Sequence, residues 1–458
     1  MTHTPSVPEA LRPGDLADLP GRIVKTLDYA ETVGAATSAF SVLDREGAVA
    51  AAERIAQGDH SSATEQPLLG VAVTVKDSLH VPGLPRWHGS ATHPGEISTT
   101  KSVPVRRLEE AGAIIVGKTA MPDYGLLGAG VSSQYGIIRN PWDLSKNPGG
   151  SSSGAGVCVA AGVTPLSIGT DIAGSVRLPA AACGISALKP TQGSLGYAPA
   201  STWRSAGPMA RTIAEVRALY RVVAGPHVED QLSLSTDPIE SAVDLPLQGL
   251  RAGVIEYPGY GIGMDDETGR LFEQTLATLS SLGVELTRID PGLRDEDFAA
   301  LDRCLMARCL SELATCEEEA RDRLLPEIRR WVEPGRSFSS ETYYTDFEHL
   351  SATASRLATI YDEFDVIFSP VLGNHQFAAE DFAPDTSQAL LYHTSYTLWY
   401  NQTGQPAVSM PMGLSTEGNP VALQIAAPRF RDYTLLNVAE AVERVLDLGL
   451  SYPDLSSR

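Results

Sequence analysis

The segment NPGGSSSGAGVCVAAGVTPLSIGTDIAGSVRLP, Asn147 to Pro179, decides how the rest of the chain is read. Glycine and serine crowd both of its ends, and the small apolar run VCVAAG lies between them. Glycine accepts backbone angles closed to other residues and serine supplies hydroxyls, so the pattern predicts two tight loops joined by a buried helix. Cutting an acyl bond needs a nucleophile, a base and donors placed where negative charge develops on the carbonyl oxygen. Ser175 is a candidate nucleophile. The residues before it, Ile172, Ala173 and Gly174, end in two small ones that let the chain turn sharply and aim successive N–H groups at one point.

Histidine is the usual base, but the nine histidines are scattered or lie in a Pro-rich loop. The serine is not in GxSxG either, because positions 173 and 177 are Ala and Arg. A Ser-Lys arrangement is the available alternative. Only six lysines occur, all within the first 190 residues, and Lys76 follows the apolar run from Leu69 to Val75. Burial at the end of such a strand disfavours the ammonium form and leaves an amine able to take a proton. Ser151, Ser152 and Ser153 are candidates to relay that proton. Each piece alone has a plainer meaning, a surface lysine, a flexible loop or an anion-binding turn; their joint occurrence carries the weight.

Composition narrows the remaining classes. The chain has 458 residues, 43% apolar and 20% charged, enough for one large domain. A formal net charge of −21 excludes nucleic-acid binding through a basic face. No run reaches the ~18 apolar residues of a membrane span, and MTHTPSVPEALRPGD lacks a basic and apolar leader pattern. Five cysteines without a CxxC predict free thiols and a cytoplasmic location. Cys304, Cys309 and Cys316 do not share a helix face, so no metal and no cofactor are expected.

In chain order, residues 1–20 read as a polar arm and Thr26 to Gln57 as helical. Leu69–Val75 reads as a strand buried on both faces, Val103–Ala111 as a helix and Ala113–Val116 as a second buried strand, together a βαβ crossover. Gly112, Gly117, Lys118 and Thr119 match the phosphate-binding pattern GxxxxGK[ST], but Ala, Ile, Ile and Val between them fit the strand and spoil a phosphate cradle. Further helices are expected at 212–224, 266–282 and 432–446, a polar loop from His227 to Asp244, and strands at 251, 365 and near 406–428. These elements predict an α/β fold: a single large domain with a central mixed and largely parallel twisted sheet covered by helices on both faces. Residues 1–68 would form an arm and helices packing on the core, 69–224 the core with the catalytic residues, and 225–458 the remainder, with a variable helical region at about 290–360.

The motifs are similar to those of the amidase signature family. That family combines a Gly-Gly-Ser-Ser loop, matched by Gly149 to Ser152, with Gly-Thr-Asp-x-Gly-Gly-Ser-x-Arg-x-Pro, matched from Gly169 to Pro179. Lys76 and Asp77 match its strand ending in Lys-Asp, and GKTAMPDYG, RNPWD, ALKPT, GPMARTI and NQTGQPAVSMPMG extend the likeness from about Leu69 to Pro428. The resemblance implies a Ser-cisSer-Lys triad: Ser175 as nucleophile, Ser151 as bridging serine and Lys76 as base. It implies an oxyanion hole of N–H groups from Ile172, Ala173, Gly174 and Ser175, supported by Ser152 and by Asp171 paired with Arg177. Gly125, Leu126 and Leu127 should line the substrate pocket, with Tyr124, Trp203 and Tyr197 as looser candidates. Two positions depart from the pattern: Ala173 adds a methyl group where a glycine is usual and an unusual φ is expected, and Ser153 replaces the glycine after the paired serines; neither removes a catalytic group, and both are expected to narrow or reshape the pocket. Because these candidates are mostly apolar or aromatic, the expected activity is hydrolysis of small aryl or alkyl amides, or of carbamates or ureas, in preference to charged substrates, by a monomer or homodimer. A glutamine-hydrolysing component of a tRNA-dependent amidotransferase, a non-catalytic binding protein and a P-loop protein are the alternatives.

Overall fold

Eleven strands form one sheet, and its strand order explains where the functional loops emerge. The structure is a computed structural model that describes residues 8, 11–12, 14–58, 66–234, 246–374 and 376–456. The strands are β1 Phe40–Leu43, β2 Ala72–Lys76, β3 Ile114–Thr119, β4 Leu166–Asp171, β5 Ser186–Lys189, β6 Ser205–Ala210, β7 Arg251–Val254, β8 Glu285–Arg288, β9 Val366–Pro370, β10 Ala407–Leu414 and β11 Pro420–Ala426. They lie in the order β1-β3-β2-β4-β6-β5-β10-β11-β9-β7-β8.

The sheet is mixed, as expected, but not largely parallel. Only β2 with β3 and β4, and β7 with β8 and β9, are parallel. The other six ladders are antiparallel. The expectation rested on strands buried on both faces, a pattern typical of parallel sheets. Here the antiparallel strands β5, β6 and β10 are buried on both faces too, so the pattern does not separate the two arrangements.

The helices are α1 Leu19–Thr37, α2 Arg45–Ala56, α3 Val103–Glu110, α4 Ser153–Ala160, α5 Arg177–Cys183, α6 Ile213–Val223, α7 Asp266–Ser281, α8 Asp295–Leu313, α9 Pro326–Val332, α10 Ser340–Ala358, α11 Trp399–Gln402 and α12 Asp432–Leu446. Side chains alternate across a strand, and neighbouring residues of one strand duly join different cores. Leu188 of β5 packs with Val105 of α3, Val216 of α6 and Leu435 of α12. Its neighbour Ala187 packs with Val157 of α4 and Ala180 of α5. Helices therefore cover both faces, and β2, α3 and β3 form the expected crossover.

The continuous helical reading of Thr26 to Gln57 is corrected. Ser38, in the left-handed region at φ 57°, ends α1, β1 intervenes, and Asp44 accepts the Gly47 N–H to cap α2. The stretch from His227 to Asp244 lies partly outside the described residues, as does much of the N-terminal arm. The phosphate-loop pattern is a buried strand: every residue of β3 is buried, and Lys118 Nζ donates to Pro85 O at 2.7 Å and pairs with Asp77 at 3.1 Å.

Candidate active site

The Asn147–Pro179 segment contains an element that its composition hid. Between the two loops lie both α4 and the buried strand β4. Helix α4 can sit deep in the fold because its first turn is nearly free of side chains: a Cβ on Gly154 would lie 2.1 Å from Ala39 O. β4 runs parallel to β2, with Val73 opposite Leu166 and Val75 opposite Ile168. The two strands end together, and that shared end brings Lys76 beside the loop after β4.

Lys76 is fully buried; its Nζ donates to Ser151 Oγ at 2.7 Å and to Thr170 O at 3.3 Å. Burial lowers its pKa well below the ordinary lysine range, and the charge of Arg204 acts in the same direction against Asp171 and Asp77. An amine in that state accepts a proton. The Gly150–Ser151 peptide is cis. Ser151 and Ser175 line the same cavity, and among the described residues Ser175 Oγ has no hydrogen-bond partner. Ser152 ties the loops together: its N–H donates to Ser175 O at 3.0 Å, and its Oγ donates to Thr170 O and accepts from Thr170 N–H, both at 3.3 Å.

Asp171 and Arg177 pair as expected, both fully buried. Arg177 Nε and Nη2 reach the two carboxylate oxygens at 3.0 Å each. The other guanidinium protons go to Thr397 O, Gln424 Oε1 and Asn401 Oδ1. Burial would raise the Asp171 carboxyl, but the charge and hydrogen bonds of Arg177 outweigh it and bring the pKa to about 2. The same carboxylate accepts Gly174 N–H at 2.7 Å and Val176 N–H at 3.2 Å. This corrects one expectation, since the Gly174 N–H is committed to Asp171 and unavailable to an oxyanion. The N–H groups of Ile172, Ala173 and Ser175 have no hydrogen-bond partner among the described residues.

Of the two departures from the family pattern, Ala173 lines the cavity beside Ser175 and Ser153 does not. Ala173 has no positive φ; that conformation falls on Gly174 at 121°, where a Cβ would meet Thr397 Oγ1 at 2.2 Å. The Ala173 methyl instead joins an apolar cluster with Tyr260, Leu301 and Leu398. Ser153 lies outside the cavities and donates to Gly149 O at 2.6 Å across the first turn of α4.

Gly125, Leu126 and Leu127 line a cavity with Ser175, and Tyr124 lines an adjoining one. Trp203 and Tyr197 line neither: Trp203 stacks on Phe347 with ring centroids 6.1 Å apart, and Tyr197 N–H donates to Asp230. Sequence reasoning missed Arg204, Arg308, His88 and Thr394, which stand in these walls. Arg308 comes from α8, more than 130 residues from Ser175, and no local motif marks it. A larger cavity of about 450 Å³, lined by residues such as Ile255, Leu357 and Trp399, contains none of the candidate catalytic side chains. Among the described residues there is no group of His, Cys, Asp and Glu that could hold a metal, all five cysteines are free, and no helix is long and apolar enough to cross a membrane.

Comparison with known proteins bears on this geometry. The family model described as Amidase matches residues 23–436. The chain is 31% identical over 440 residues to an acylamidase of Rhodococcus erythropolis, covering 91% of this chain and 89% of that one. It is also 31% identical over 453 residues to a glutamyl-tRNA(Gln) amidotransferase subunit from Streptomyces coelicolor, covering 90% of each. A bacterial aryl acylamidase of the amidase signature family has the same fold, with a TM-score of 0.86 at 22% identity over 99% of both chains. A peptide amidase from Stenotrophomonas maltophilia matches with a TM-score of 0.80 at 22% identity, over 97% of this chain and 96% of that one.

Proposed function

The chain belongs to the amidase family and is an amide-cleaving enzyme, and from that premise we propose that it hydrolyses a small carboxamide through a serine acyl-enzyme. The observation that carries this reading is the 2.7 Å contact between fully buried Lys76 and Ser151, at a cavity that Ser151 shares with Ser175. Neutral Lys76 takes the proton of Ser151 Oγ while Ser151 takes that of Ser175 Oγ. Ser175 then attacks the carbonyl carbon, and the N–H groups of Ile172, Ala173 and Ser175 hold the oxyanion. The proton returns through Ser151 to the leaving nitrogen, the C–N bond breaks, and water repeats the sequence on the ester to release the acid. Ser152, Asp171 and Arg177 position these groups without touching substrate. Carbamates and ureas present the same carbonyl and are included in the class.

Glutamine hydrolysis within an amidotransferase is the second reading, favoured by the 31% identity to that relative. A hydrolysis screen of the purified protein alone separates the two, using aryl amides, aliphatic amides, carbamates and glutamine. Turnover of an aryl amide, lost in Ser175→Ala with the fold intact, is the expected result. Full turnover in Ser175→Ala would refute the mechanism, and hydrolysis of glutamine alone would favour the second reading.

A further inference from the structure

Two cavities meet at Ser175 and share Gly125, Ile172 and Arg308, yet their chemistry differs. One, of about 300 Å³, is walled by Leu126, Leu127, Leu178, Leu305 and Leu391. The other, of about 250 Å³, is walled by His88, Tyr124, Ser151, Thr170 and Arg204. Ser151 belongs only to the second. On the acyl-transfer mechanism proposed above, on which this inference rests, the proton that frees the amine arrives from Ser151 Oγ, and such a transfer needs hydrogen-bond reach. The leaving nitrogen therefore faces the second cavity, and the acyl group enters the leucine-lined one.

We propose that the leaving amine bears a carboxylate, seated between Arg204 and Arg308, so that the preferred substrate joins an apolar acyl group to an amino acid or similar anionic amine. Among the described residues no acidic side chain lines the second cavity, although the chain as a whole carries a net charge of −21. Arg308 Nη2 forms a long ion pair with Glu312 at 3.5 Å, while its Nη1 is buried and makes no hydrogen bond. The Arg204 guanidinium has no carboxylate partner among the described residues and lies 5.9 Å from the centre of the Tyr197 ring. A buried donor without an acceptor, as at Arg308 Nη1, is costly, and a guanidinium such as that of half-buried Arg204 answers a carboxylate best. His88 is held neutral by burial and by the charges of Arg86 and Arg204, so the positive charge in this wall comes from the arginines. The apolar walls at Leu126 and Leu127 thus serve one half of the substrate only.

The test compares three amides: N-hexanoylglycine, N-hexanoylpropylamine, and N-propylsuccinamate, which carries its carboxylate on the acyl side. The expected kcat/KM for the glycine conjugate exceeds that for either of the others by roughly 10- to 100-fold, the worth of a charged hydrogen bond. Arg308→Met and Arg204→Met should each lower the ratio of glycine conjugate to propylamide, mainly through KM, and the Lys variants should keep part of it. A purely structural role for these arginines would leave that ratio unmoved. Equal rates for the glycine conjugate and the propylamide, a preference for the succinamate, or no cleavage of the three beside Ser175-dependent turnover of aryl amides would overturn the inference while leaving the amidase mechanism standing. Failure of every amide and carbamate in both screens removes the mechanism itself.

Discussion

Replacing Arg177 by Met tests whether the loop after β4 is held by a buried charge pair. Arg177 is fully buried and makes five hydrogen bonds, two to Asp171 and one each to Thr397 O, Gln424 and Asn401. The Met side chain fills much of the same volume but leaves the Asp171 carboxylate with only the N–H groups of Gly174 and Val176. Removing one partner of a buried pair costs about 3–5 kcal/mol, because the other charge stays desolvated. Unfolding entropy of ~2.1 cal/mol/K per residue scales over 458 residues to about 1 kcal/mol/K, so the melting midpoint should fall by about 3–5 °C. The double variant Asp171→Asn with Arg177→Met removes the orphaned charge and should recover part of the loss. The pH dependence adds a sign. In the native protein Asp171 sits at about 2, below its ordinary 3.8, so it contributes stability that is present above 3.8 and lost as pH falls towards 2. In Arg177→Met burial loses its main opponent, leaving Lys189 and the Gly174 and Val176 N–H groups against it, so the carboxyl pKa rises and the deficit shrinks on acidification. Calorimetry at pH 7 and pH 5 measures all three proteins. A single-variant shift below about 1 °C, or a double variant no more stable than the single, would refute the reasoning.

Three further outcomes follow from the same geometry. Lys76→Met should lower kcat by roughly 10²- to 10⁴-fold, and the native rate should rise with pH through the depressed lysine pKa, well below 10.5. Because the unfolded chain binds more protons at Lys76 between that pKa and 10.5, the native protein gains stability with rising pH across that window, and the Met variant should lose this slope in pH-dependent melting. Gly174→Ala places a Cβ 2.2 Å from Thr397 Oγ1 at φ 121°, so it should cost about 1–3 kcal/mol and most of the activity, read by melting and by steady-state rate. Lys118→Met leaves Asp77 buried without its cation and should cost about 3–5 kcal/mol, while titration of the native protein with ATP should give no heat.

Chemistry written in local sequence was legible, and chemistry assembled by tertiary contact was not. The Lys76 strand and the two serine loops follow from residue types at fixed spacing, while the choice of Ser151 and the Asp171–Arg177 pair come from the likeness to the amidase signature motifs, and the structure places them within hydrogen-bond reach of one another or around one cavity. β4 escaped notice because Ser167, Gly169 and Thr170 dilute its apolar content, although every one of its residues is buried. Gly169 is there because a Cβ would lie 2.5 Å from Ser152 Oγ, a constraint set by a different loop. Arg308 was invisible for a similar reason. On α8 it resembles any helical surface cation with an acidic residue four positions on, and only the packing of α8 turns it towards Ser175. The antiparallel ladders of β5, β6 and β10 were hidden because strand direction depends on connections, not on composition.

The buried charges around the site also bear on the base role proposed for Lys76. As the base of the proposed mechanism Lys76 must lose its proton, yet two carboxylates, Asp171 and Asp77, act to keep it charged. Each is tied to another cation: Asp171 to Arg177 at 3.0 Å and Asp77 to Lys118 at 3.1 Å. Both pairs are fully buried, where a lone carboxylate would act strongly on a neighbouring amine. Pairing them elsewhere leaves desolvation to dominate at Lys76, with Arg204 adding to it. Lys118, which mimics a phosphate-binding lysine in the sequence, pairs with the carboxylate next to Lys76 in the chain, so the accidental motif and the strand that carries the proposed base belong to one electrostatic arrangement.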